Sequence, residues 1–137
     1  MRPTDSLLRT AVLTQGVYYV ATGIWPLVDM RSFERVTGPK IDKWLVKTVG
    51  ALVTSIGGAL LVAATRRRIT PEARVLAAGT AMGLAAIDVY YVAKRRIAPV
   101  YLLDAVTELA LLSPAGITTD GLTAKHGARR ESVAAGR

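Results

Sequence analysis

The chain contains no cysteine and no asparagine. The first absence removes disulfides, thiolate metal ligands and a cysteine nucleophile. The second removes any N-glycosylation acceptor. Histidine occurs once, as His126 in the polar C-terminal part. A multi-histidine metal site and a serine–histidine pair within the apolar part are therefore excluded. Acids are scarce as well: 10 Asp and Glu stand against 18 Lys and Arg in 137 residues.

Apolar residues are abundant. The hydrophobic share is 51% with a net charge of +8, and the mean hydropathy is +0.33. A disordered basic tail would not be half apolar. A soluble nucleic-acid-binding domain would spread its basic residues over an exposed face with groove-reading or stacking residues. Here the charges gather in clusters between long apolar runs. The length argues against several domains. These features point to a small, basic membrane protein.

Four runs carry that reading. Thr10 to Val28 gives 19 residues without a charge, and Thr48 to Thr65 gives 18. Val75 to Ala93 gives 19 with one acid, Asp88, and Ile97 to Leu112 gives 16 with Asp104 and Glu108 inside. A helix needs about 20 mostly apolar residues to cross a ~30 Å hydrocarbon core. Lipid leaves no partner for open backbone groups, so helix is the expected state. The runs predict an all-α, up-down transmembrane four-helix bundle, with helices at about 7–28, 44–65, 72–93 and 97–113. Residues 1–112 form the membrane domain in this reading, and 113–137 a polar, flexible tail. The first run is too long in its apolar stretch, and too polar in its middle, for a cleavable signal peptide.

Local punctuation agrees. Thr70-Pro71-Glu72 reads as an N-cap, a first-turn proline and an early carboxylate. Asp42 is expected to cap the second helix, Pro26 to help end the first, and Pro99 to sit in the first turn of the fourth. The Asp29–Lys43 connection reads as a solvated loop, in which Arg31, Arg35, Lys40 and Lys43 are candidates for lipid phosphates. Trp25 and Trp44 read as interface anchors. The Lys and Arg bias favours both termini in the cytoplasm, by 10 residues to 8. Gly50, Thr54 and Gly58, and Gly79 with Gly83, repeat at four-residue spacing as helix-packing faces, within one bundle or between copies.

The acids within the runs are the most informative feature. A carboxylate at mid-membrane costs at least ~2.5 kcal/mol on insertion scales and marks a candidate functional site. Asp104 and Glu108 share a helical face, with Tyr101 one turn before. Asp88 and Tyr91 are three apart on the third helix, and Gln15, Tyr19 and Thr22 follow the same spacing on the first. Asp88 lies six residues before Lys94 and Asp104 eight after Arg96, or ~9 and ~12 Å at 1.5 Å per residue. Both acids therefore approach one level from the same side. Four roles stay open: fixing helix register, orienting the polar end of a lipid-like or small apolar ligand, forming a proton or cation path, and carboxylate-pair catalysis.

Trp25-Pro26-Leu27, the Phe33-Glu34 to Leu45 stretch and Leu102-Leu103-Asp104 give the chain a look that resembles small four-helix membrane proteins of bacteria. The resemblance spans residues 7 to 112. The architecture is also similar to DoxX-like and EXPERA-type bundles. EXPERA enzymes work with membrane histidine and glutamate residues, and this chain has no membrane histidine, so the likeness implies architecture and no catalytic role. The combined expectation is a multi-pass protein of the bacterial inner membrane that is non-enzymatic, with no cofactor, metal or nucleic acid. Its partners would be membrane lipids, and a second copy or a larger membrane complex. It would be a binding or accessory module or, alternatively, a small proton- or cation-coupled transporter or channel subunit.

Overall fold

A computed structural model describes residues 3–112, with side chains from residue 5 onward. The expected tail, 113–137, and His126 lie outside the described residues. All regular structure among the described residues is helical: α1 (Pro3–Val28), α2 (Met30–Thr37), α3 (Lys43–Ala64), α4 (Pro71–Ala93) and α5 (Tyr101–Leu112). Three of these, α1, α3 and α4, are long and apolar enough to cross a membrane.

Two connections differ from expectation. The Asp29–Lys43 connection is not a plain solvated loop, because it holds α2. The Asp29 carboxylate caps that helix by accepting the Ser32 N–H at 3.0 Å, and the apolar residues Phe33 and Val36 turn to one side. The fourth apolar run also starts its helix later than 97. The carbonyls of Ala98, Pro99 and Val100 accept the N–H groups of Tyr101, Leu102 and Leu103. Those bonds close tight turns around Pro99, so α5 begins after the proline rather than on it. Its 12 described residues rise ~18 Å.

The corner before those turns has a clear cause. Arg95 takes a left-handed φ of +54°. Its N–H reaches the Val92 carbonyl, and the Arg96 N–H reaches back to Tyr91 at 2.9 Å. This is a Schellman ending to α4 with arginine where glycine is usual. At the other end of α4 the expected cap is present: Thr70 Oγ1 accepts the Ala73 N–H, with Pro71 in the first turn. Asp42 occupies the corresponding position before α3 but makes no side-chain cap bond. Pro26 lies within the last turn of α1, which runs on to Val28.

The tightest packing joins α1 to α3. Gly16 meets Gly57, and Gly23 meets Gly50. A Cβ built on Gly23 would lie 2.6 Å from the Gly50 carbonyl oxygen, and one on Gly57 2.8 Å from that of Gly16. The partners run in opposite order at seven-residue spacing, so the helices are antiparallel and touch backbone to backbone. Close approach of this kind supplies contact energy where lipid gives little hydrophobic force. The face expected on the second apolar helix is therefore Gly50, Thr54 and Gly57, and not Gly58. Nothing lies within 4 Å of a Cβ on Gly58, Gly79 or Gly83. The inward side of α4 instead carries Ala77, Ala81 and Ala85, all buried. Arg9 closes the far end of the pair, donating from Nε to the Ala64 carbonyl at 2.7 Å. A cation there satisfies one of the open carbonyls of the α3 C-terminus.

Candidate functional site

Gln15, Tyr19, Asp88 and Glu108 are buried, with exposures of 3%, 0%, 7% and 0%. Burying so many polar groups is costly unless they pair. Most do, in one chain across three helices. Gln15 Nε2 donates to the Ala77 carbonyl at 2.9 Å and to the Tyr19 hydroxyl at 3.0 Å. The Tyr19 hydroxyl donates in turn to Glu108 Oε2 at 2.8 Å. Beside it, the Tyr18 hydroxyl donates to Asp104 Oδ1. Asp88 on α4 and Asp104 on α5 line one cavity.

Direction matters in this chain. The Gln15 N–H occupies a lone pair of the Tyr19 oxygen, so the tyrosine proton points at Glu108. That fixes Oε2 as an acceptor and leaves Oε1 as the free end of the carboxyl group. Two buried carboxyl oxygens have no hydrogen-bond partner, Glu108 Oε1 and Asp88 Oδ2. Buried polar atoms without partners are uncommon in folded proteins.

Asp88, Asp104 and Glu108 line a cavity of about 570 Å³. Volumes of that size are typical of small-molecule sites, which combine apolar walls with a few polar groups. The walls are apolar residues of α3, among them Val46, Val49 and Val53, with Leu84 and Ile87 of α4. One end is formed by Trp25, Phe33 and Val36. There the Trp25 indole N–H donates to Ser32 Oγ at 2.7 Å, and its ring meets Phe33 edge-on at 5.6 Å. Trp25 is thus a half-buried part of the lining, whereas Trp44 is 69% exposed.

The remaining sequence candidates divide. Tyr101 lines the cavity, and the Lys40 ammonium lies 5.0 Å from its ring centroid. Tyr91 also lines it, although it is 43% exposed and its ring contact is with Tyr90. Lys40 Nζ donates to the Thr37 carbonyl at 2.9 Å. Lys43 pairs with Glu34 at 3.0 Å, and the other Glu34 oxygen accepts the Lys40 backbone N–H. The Lys40 N–H, and then Lys43, hold the Glu34 carboxyl below its ordinary range. Two of the four lipid-phosphate candidates are therefore engaged within the protein, while Arg31 and Arg35 face outward. Tyr18 is the residue that spacing missed. It stands three positions from Gln15, as Asp88 does from Tyr91, and that shared face was the available signal.

Comparison of the chain with protein-family models, curated proteins and solved structures finds no match. The likeness to four-helix membrane proteins therefore rests on the sequence pattern alone.

Proposed function

We propose that this is a multi-pass membrane protein of the bacterial inner membrane that binds a lipid-like or small apolar molecule inside a helix bundle. In this reading α5 completes a fourth crossing and both termini face the cytoplasm. The observation that carries the proposal is the cavity itself: apolar walls from α1, α3 and α4 with three carboxyl groups on one part of its surface. Such a shape suits a molecule with an apolar body and one polar end. Two of the acids hold tyrosine hydroxyls, so they are fixed in place before a ligand arrives.

Native mass spectrometry of the protein released from mild detergent tests this. A retained small molecule, weakened by Asp104→Asn or Glu108→Gln, supports it. A clean unliganded spectrum opposes it.

A second reading is proton- or cation-coupled transport. It is favoured by the bonded chain from Glu108 through Tyr19 and Gln15 to Ala77, which continues the polar path beyond the cavity. In reconstituted vesicles the same two substitutions should then abolish flux while insertion is unchanged. Unaltered flux removes that reading.

A further inference from the structure

We infer that the cavity takes a lipophilic organic cation, an amine or onium group on an apolar body, with its positive charge drawn towards the carboxyl groups of Asp88, Asp104 and Glu108. The inference rests on the binding reading above and names the class of ligand.

Charge balance within the cavity is the first argument. Its titratable and charged lining groups are Tyr18 and Tyr19 on α1, Asp88 and Tyr91 on α4, Tyr101, Asp104 and Glu108 on α5, and Lys40 from the α2–α3 connection. The lining contributed by α3 is uncharged. Three carboxyl groups thus face one ammonium. That ammonium is spoken for, since Lys40 donates to the Thr37 carbonyl and lies over the Tyr101 ring. Tyr101 opens α5, and Glu108 lies seven residues further along the same helix, or ~10 Å at 1.5 Å per residue. The acids therefore lack a cation of their own. Neighbouring carboxylates in a low-dielectric site repel one another, and a positive ligand relieves that repulsion.

Open valence is the second argument. Glu108 is fully buried, its Oε2 is committed to Tyr19, and its Oε1 is unpartnered in a residue that lines the cavity. Asp88 Oδ2 is buried and unpartnered in the same way. The walls provide a third argument. Tyrosines from α1, α4 and α5 line the same cavity as the acids, and aromatic faces attract organic cations. A bare metal ion fits less well. Among the described residues no group of three acid, histidine or cysteine side chains is arranged to hold one.

The test uses the full chain in lipid nanodiscs, with empty nanodiscs subtracted. Three probes are compared: tetraphenylphosphonium, tetraphenylborate with the same shape and opposite charge, and neutral diphenylhexatriene. Tetraphenylphosphonium should bind saturably. Its affinity should fall at least roughly tenfold in Glu108→Gln, since truncating one member of a buried charge pair is costly. The glutamine carbonyl still accepts the Tyr19 hydroxyl, which protects the fold. Asp88→Asn gives a second variant at an oxygen that makes no hydrogen bond, and it should also weaken the phosphonium. Tetraphenylborate should show no saturable site. If diphenylhexatriene or the borate saturates while the phosphonium does not, or if neither variant weakens the phosphonium, the cation inference fails and the binding reading stands. If no probe saturates, both fail.

Discussion

The Tyr19 hydroxyl donates to Glu108 Oε2 at 2.8 Å, and both residues are fully buried. The bond ties the first described helix to the last and sets which carboxyl oxygen remains open. Tyr19→Phe removes the donor and leaves the Gln15 amide and Glu108 Oε2 each one partner short. Such a loss costs about 1–3 kcal/mol. Thermal unfolding in detergent should drop clearly for Tyr19→Phe and much less for Glu108→Gln. Equal losses would mean that the hydroxyl–carboxyl bond does not stabilise the fold.

Two adjacent glycines on α3 should respond in opposite ways. A Cβ on Gly57 meets the Gly16 carbonyl oxygen at 2.8 Å and the Val20 nitrogen at 2.8 Å, both backbone atoms that cannot swing aside. Gly57→Ala should therefore separate α1 from α3 and destabilise the protein by about 1–3 kcal/mol, the usual range for overpacking. Gly58 faces open space, so Gly58→Ala gains helix propensity and should be neutral or slightly stabilising. Melting temperatures of the two single variants decide the point.

Arg95 should tolerate glycine well. Its left-handed φ of +54° costs an L-residue roughly 1–2 kcal/mol, and glycine adopts that conformation without the penalty. Arg95→Gly should raise the melting temperature. A decrease would show that the arginine side chain contributes more at this corner than its backbone costs.

The α2 anchor should be sensitive to acid. Glu34 titrates below its ordinary range because the Lys40 N–H and Lys43 favour its charged form. For a carboxyl group with a depressed folded value, the stabilisation is present above the unfolded value, about 4.3, and is lost as pH falls through the folded value. A carboxyl-carbon NMR titration should place the Glu34 midpoint below that of a free glutamate, and Glu34→Gln should remove the pH dependence of α2 order. A midpoint at the ordinary value would contradict the bonds drawn here.

Long apolar runs, two without a charge and one with a single acid, made the three long helices legible, because a helix closes its backbone bonds within one segment. The acids within the apolar runs were legible for a related reason. Asp88, Asp104 and Glu108 stand in apolar runs where a charge is expensive, and counting residues from Lys94 and Arg96 puts Asp88 and Asp104 at one expected level. Helix α2, Met30–Thr37, was hidden because it spans only about two turns: Met30, Phe33 and Val36 repeat at three-residue spacing, but so short a segment between charges reads as easily as a loop. Gly57 rather than Gly58 could not be chosen from spacing either. Both fit a four-residue repeat from some starting point, and only the seven-residue match to Gly16 and Gly23 on α1 selects between them. The Asp42 cap failed because residue type marks a capping position without fixing the side-chain bond.

The central claim is that the cavity between α1, α3 and α4, with the α5 carboxyl groups in its wall, accepts an apolar molecule. Trp25 lines it, and Trp44 is the only other tryptophan. In Trp44→Phe, energy transfer from Trp25 to diphenylhexatriene in nanodiscs reports occupancy directly. Transfer should saturate at about one probe per chain, as expected for a single preformed pocket, and Val49→Phe, which adds bulk to the lining, should abolish saturation. Transfer that rises linearly with probe and is the same in Val49→Phe would contradict the account.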